Sequence, residues 1–242
     1  MSALGHYLEE DGIATVAIGL IRPQIERTRP PRALWVPFEL GRPFGPPSDP
    51  EFQKDVIRAA LRMLEQADGP VAIADFPWDD PRELPDPAWR APVTSAPPGD
   101  AGSAVADALQ DEIARLNEPY RRSVAERGRT TVGLSGLSIG AIGDFVGAWL
   151  RGASPASPNA EKSAPLALRF AVDDLKAYCL EAALAGPARP SSRQVGDWLW
   201  NATAAGAAIL SLRRAYRDAA DDRLKLIAGN FLVPNLRQSP GG

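Results

Sequence analysis

The chain has 242 residues, 45% of them hydrophobic and 24% charged, which suits one sizeable folded domain or two smaller ones. Its net charge of −3 divides into −5 over the first eighty residues (8 Lys/Arg against 13 Asp/Glu) and +2 over the rest (19 against 17), so neither part offers the basic surface that nucleic-acid binding needs. The one cysteine, Cys179, excludes an internal disulfide, and the one histidine, His6, removes most zinc sites and most Ser-His-Asp arrangements.

Ile13–Leu20 (IATVAIGL) is a short β-branched run suited to a strand buried on both faces, and Ala33–Phe38 and Pro70–Phe76 read the same way. Between the last two, Phe52, Val56, Ala60 and Leu64 fall on one stripe of a helix over Pro50–Gln66, widened by Ile57 and Leu61. Asp49 suits its N-cap and Pro50 its first position. Strands separated by helical segments predict an α/β fold with a parallel, Rossmann-like sheet. Three strands leave that sheet incomplete, because parallel sheets are normally covered on both faces and open edges invite pairing. Three candidates remain to complete it: Thr130–Leu134, a second copy of the chain in a homo-oligomer, or a different polypeptide in a hetero-oligomer.

Residues 77–102 carry prolines at 77, 81, 85, 87, 92, 97 and 98 together with Trp78 and Trp89. They read either as an irregular connection that hugs the surface, since two tryptophans are costly to leave wet, or as a mobile linker. The organisation expected is an α/β half-domain over 1–76, this proline-rich connection, and a mainly helical region over 103–242.

In that region Val105, Leu109, Ile113, Leu116, Tyr120 and Val124 form one stripe, which Pro119 should kink or split. Gly128–Leu134 reads as a turn and candidate strand, followed by a helix over Ser138–Leu150 and a soft segment over Gly152–Ser163. Further helices are predicted over Pro165–Leu184, Ser192–Asp218 and Asp221–Leu232, the first two joined by only Ala185–Ser191 and so expected to form an antiparallel hairpin. No charged-then-apolar leader opens the sequence, and Thr131–Leu150 is too poor in apolar residues for a membrane span. A cytoplasmic protein without membrane or nucleic-acid partners is expected.

Chemistry is sparse. Gly41 and Gly45 allow backbone conformations closed to other residues, and the helix that starts at Asp49 offers amide hydrogens to an anion. A substrate carboxylate would bind there with help from Arg42 or Arg32; otherwise the segment is a tight strand-to-helix turn. Cys179 shares a helical face with Val172, Leu175 and Ala182 and reads as an inert core thiol. His6, beside Glu9 and Glu10, reads as a surface imidazole.

The stretch Gly133–Gly143 follows a candidate strand and opens a helix, an order that can cradle phosphate, although it fits neither the Walker nor the dinucleotide pattern. Gly136, Gly140, Gly143 and Gly147 suit close helix packing better. Val195, Trp198, Leu199, Ala202, Ala205, Ile209, Leu212 and Tyr216 form an apolar face, with Trp200 off the stripe and suited to an interface. Arg169 and Asp173 are spaced for a surface pair. No Glu-x-x-His pair is present, so a di-iron bundle lacks its ligands, and no cofactor is implied.

The block Gly12-Ile13-Ala14-Thr15-Val16, then Pro31-Arg32-Ala33, then Gly41–Gln53 (GRPFGPPSDPEFQ) resembles a stretch of the glycine/sarcosine/betaine/D-proline reductase selenoprotein B family. The resemblance covers roughly residues 5–76. It implies ancestry in an enzyme that reduces small amino-acid-like substrates with a selenocysteine and a nearby cysteine. In the D-proline reductase branch that redox pair lies just before the helix corresponding to Ala3–Glu10, so its expected place falls upstream of Met1, and Ala14 stands where the branch tends to have proline. The pair is then encoded further upstream, supplied by another chain, or dispensed with.

Two readings follow. One is a subunit of a reductase-like oxidoreductase complex that binds a small carboxylated substrate near Gly41–Gln53. The other is a non-catalytic scaffolding or binding subunit of an oligomer. A phosphate-anchored enzyme using Gly133–Gly143 is a weaker third.

Overall fold

The computed structural model describes residues 2–65, 71–81, 84–94, 102–234 and 237. The chain divides into two compact units, Met1–Leu84 and Pro85–Gly242, so the boundary cuts the proline-rich stretch instead of leaving 77–102 as a separate connection. Gln66, Pro70, Pro97 and Pro98 lie outside the described residues.

The first unit is the expected α/β element. Helix α1 (Ser2–Glu10) precedes strand β1 (Ala17–Gly19), helix α2 (Arg22–Thr28), strand β2 (Arg32–Trp35), helix α3 (Pro50–Arg62, extended by one 3-10 turn over Met63–Glu65) and strand β3 (Ala72–Asp75). The three strands are parallel in the order β1-β2-β3, with Ala17 opposite Ala33 and Ala33 opposite Ile73. β1 is much shorter than the apolar run Ile13–Leu20. The Thr15 amide and hydroxyl both donate to the Glu9 carboxylate instead of joining a ladder.

Register decides which helix covers which face. Ile18, Leu34 and Ala74 share a face, and that face buries Val56, Ala60 and Met63 of α3. Gly19, Trp35 and Asp75 share the other, where a Cβ on Gly19 would lie 2.5 Å from Ile25 of α2. The α3 side is closed by Phe38, Phe52 and Phe76, with centroids 5.5–5.9 Å apart and inclined rings. Trp78 rests edge-on against Phe76 yet stays 55% exposed, contrary to the expectation that both tryptophans be sheltered. Trp89, in the second unit, is sheltered: it packs on Trp198 and donates to the Ala183 carbonyl at 2.9 Å.

The second unit is helical: α4 (Gly102–Arg127), α5 (Ile139–Leu150), α6 (Ala164–Ala183), α7 (Ser192–Ala202), α8 (Ala204–Tyr216) and α9 (Asp222–Asn230). α4 runs unsplit through Pro119, because its packing against α5, α6 and α8 outweighs the roughly 3 kcal/mol that an interior proline costs. The expected helix over Ser192–Asp218 is two helices. Thr203 is extended and caps α8 by accepting from the Gly206 amide, while the buried Glu112 of α4 accepts from the Ala204 and Ala205 amides at 2.7 and 2.9 Å. A Cβ on Gly206 would lie 2.0 Å from the Leu199 carbonyl, so the break also needs that glycine.

Thr130–Leu134 is not a strand and does not complete the sheet. Its donors go to two acids of α6. Asp174 accepts from the Gly133, Leu134 and Ser135 amides and the Ser135 hydroxyl at 2.6–2.9 Å. Glu181 accepts from the Thr131 amide and from both threonine hydroxyls. Burial alone would raise both carboxyls, but these donors outweigh it and hold both below the ordinary value. The weaker alternative, a phosphate cradle starting at Gly133, finds these amides already taken by the protein's own Asp174. Of the four glycines expected to form a packing strip, Gly143 and Gly147 do pack closely on α4, against Ile113 and Ala106, whereas Gly136 precedes α5 and Gly140 faces open space. No helix among the described residues is long and apolar enough to cross a membrane.

Candidate functional site

Ligands of parallel α/β sheets sit beyond the carboxyl ends of the strands, where loops from neighbouring strands converge. In the first unit this edge carries the loop from β2 to α3, and with it Gly41, Arg42, Gly45 and Asp49 of the expected substrate site. Gly41 and Gly45 adopt φ of +93° and +82°, and Gly45 touches the Phe52 ring so closely that a Cβ would approach it to 2.4 Å. The glycines are thus required by the turn itself.

Asp49 caps α3 by accepting from the Phe52 amide at 3.1 Å, and Gln53 ties the loop down by donating to the Pro46 carbonyl at 2.9 Å. With Asp49 and Glu51 in place, the start of α3 is already supplied with negative charge. Arg42 is the loop's cation, 3.9 Å from Glu39 and substantially exposed.

Arg32 does not belong to this group, which corrects the expectation that Arg42 or Arg32 would help bind a carboxylate there: of the two, only Arg42 is on the loop. It is the first residue of β2, at the opposite end of the strand, roughly 13 Å of extended backbone from the loop. There it is ion-paired with Glu9, whose carboxylate also takes both donors of Thr15. These bonds hold the Glu9 carboxyl below its ordinary value, the Thr15 amide first and Arg32 next. Arg32 is a clasp between α1 and the sheet.

Three residues that the sequence did not single out meet at the carboxyl edge instead. Arg22 opens α2 just after β1, Trp35 ends β2 and Asp75 ends β3. The Arg22 guanidinium lies 5.4 Å above the Trp35 ring, is ion-paired with Asp75, and donates to Glu26 at 2.9 Å. The only local sign of it was Pro23, a proline suited to a helix's first turn immediately after a strand. Two acids neutralise Arg22, so an incoming anion would have to displace one of them.

On the α2 side of the sheet, a cleft of about 780 Å³ lies between α1, β1 and α2. It is lined by Ala17, Gly19, Ile25 and Thr28, with His6 on one wall and Leu40, next to Gly41, at its rim. His6 is committed by donating from Nε2 to the Arg29 carbonyl at 2.8 Å. The volume suits a small molecule. Cys179 is buried in the helical unit, where burial first and Glu112 second push its thiol well up, so it is not a nucleophile. Comparison with protein-family models, curated proteins and solved structures gives no match.

Proposed function

We propose that the chain is a binding subunit of a larger assembly related to the glycine/betaine/D-proline reductases. Its α/β unit takes a small carboxylated, amino-acid-like substrate beside the Gly41–Asp49 loop, with Arg42 as the cation. The redox thiol or selenol comes from elsewhere, since the single cysteine is a buried core residue of the other unit. The observation that carries this reading is the placement of a rigid two-glycine turn, with its exposed arginine, at the carboxyl edge of a three-stranded parallel sheet.

The test is titration of the protein with betaine, D-proline and glycine, followed by the amide NMR signals of residues 41–53. Saturable shifts in that segment, lost in Arg42→Ala and kept in Arg32→Gln, support the reading. No shift with any of the three substrates overturns it.

A second reading, a non-catalytic scaffolding subunit, draws on the acids that already occupy the start of α3 and flank Arg22. It predicts an oligomer by light scattering together with no response to the three carboxylates.

A further inference from the structure

We propose that the groove between α6 and α7 binds a small amphipathic carboxylate, an alkyl or aryl body ending in one carboxylate group. The groove has a volume of about 380 Å³, within the range of small-molecule sites. α6 contributes Leu180, with Leu184 just past its end, and α7 contributes Val195, Leu199 and the ring of Trp200. This site lies wholly in the helical unit and stands or falls independently of the substrate loop.

Gly196 is the observation that points to an occupant. It sits in the middle of α7, where glycine is unfavourable relative to alanine. Other glycines well inside helices are explained by packing: Gly143 lies against Gln110 and Ile113, and Gly147 against Ala106. A Cβ on Gly196 would meet only Arg237 Nη2, at 3.8 Å. Gly140 and Gly229, also uncrowded, stand near helix ends. The missing side chain at 196 deepens the groove between two apolar walls.

Charge then selects the ligand. Lys176 is the one charged residue among the described residues that line the groove, and no acid lines it. Its ammonium is 3.0 Å from Asp173, which also has Arg169 at 3.7 Å. Asp173 therefore keeps a cation when Lys176 turns to a ligand. At the Gly196 side, Arg237 is ion-paired with Asp197. An apolar body over Gly196 with a carboxylate on Lys176 satisfies both the walls and the cation, whereas a neutral ligand would cover the ammonium without pairing it.

The experiment is isothermal titration of the full chain with 4-phenylbutyrate and with its neutral amide. The carboxylate is expected to bind about tenfold more tightly, the effect of one charged hydrogen bond. Lys176→Met should erase that preference while leaving amide binding unchanged. Gly196→Leu should abolish binding of both without lowering the thermal midpoint. If that variant is destabilised, Gly196→Ala adds only a methyl to open space and should weaken both probes by about threefold or more. Absence of binding, equal affinity of wild type for acid and amide, or wild-type affinity in both Gly196 variants overturns the proposal. So does light scattering that shows a dimer which Gly196→Leu dissociates, since the groove would then be occupied by a second copy.

Discussion

The two units solve the problem of burial differently. Among the described residues the helical unit encloses a contiguous core of 27 buried residues, whereas the α/β unit encloses seven beneath α3. Ten of the thirteen exposed large hydrophobic side chains among the described residues belong to the α/β unit, among them Leu40, Ile57, Leu61 and Leu84. At roughly 1.5–3 kcal/mol for each fully buried large apolar side chain, that contrast is far larger than any single polar interaction. The helical unit has the core of a self-sufficient domain. The α/β unit has a smaller core and leaves more of its large apolar side chains at the surface.

The sharpest way to break this comparison is to attack the polar anchors of the helical unit. Asp174→Ala strands three backbone amides and the Ser135 hydroxyl, and should lower that unit's stability by about 3 kcal/mol, read as a fall in its urea midpoint. A loss below about 1 kcal/mol would mean that the clamp is incidental. The same acids set the pH response. Asp174 and Glu181 have folded-state values below the unfolded ones, so their contribution is fully present above the ordinary carboxylate range and is lost as pH falls through the depressed folded values. Urea midpoints taken from pH ~6 down to pH ~3 should fall, with a shallower slope in Asp174→Asn.

Hydrogen exchange sharpens the contrast next. Amides of β1, β2 and β3 should exchange on the order of a hundredfold faster than those in the middle of α4 and α6, because the smaller core opens at lower free energy. Equal protection would sink the two-unit picture. A smaller effect is expected within the weak unit. Gly45→Ala imposes a left-handed conformation and presses on Phe52, and should destabilise the α/β unit by about 1–2 kcal/mol while leaving the helical unit's transition in place. Smallest of all, Tyr178→Phe removes a buried 2.7 Å bond to the Ile113 carbonyl and should cost the helical unit about 1 kcal/mol by the same urea assay.

What the sequence revealed follows the range of the interactions involved. The start of α3 was legible because Asp49, Pro50 and Phe52 act within one turn. The break between α7 and α8 was not, since half its cap is Glu112, 92 residues from Ala204. Thr130–Leu134 has strand-like residues, but Asp174 and Glu181, some forty to fifty positions on, claim its donors. α2 carries a single buried side chain, Ile25, too little for a periodic stripe. At the candidate site, the glycine turn announced itself locally. Arg32 misled because its partner Glu9 belongs to α1, and Arg22 escaped notice because only the strand order brings it to Asp75.

The placement of α2 and α3 on opposite sides of one small sheet has a topological consequence. Both connections step the same way, from β1 to β2 and from β2 to β3, so helices on opposite sides give the two crossovers opposite hand. About 98% of such connections are right-handed, which makes one of these two a rarity. A left-handed step is a more specific fingerprint than a glycine turn. Proteins that share it, in a sheet of any width, are where kinship with this unit should be sought.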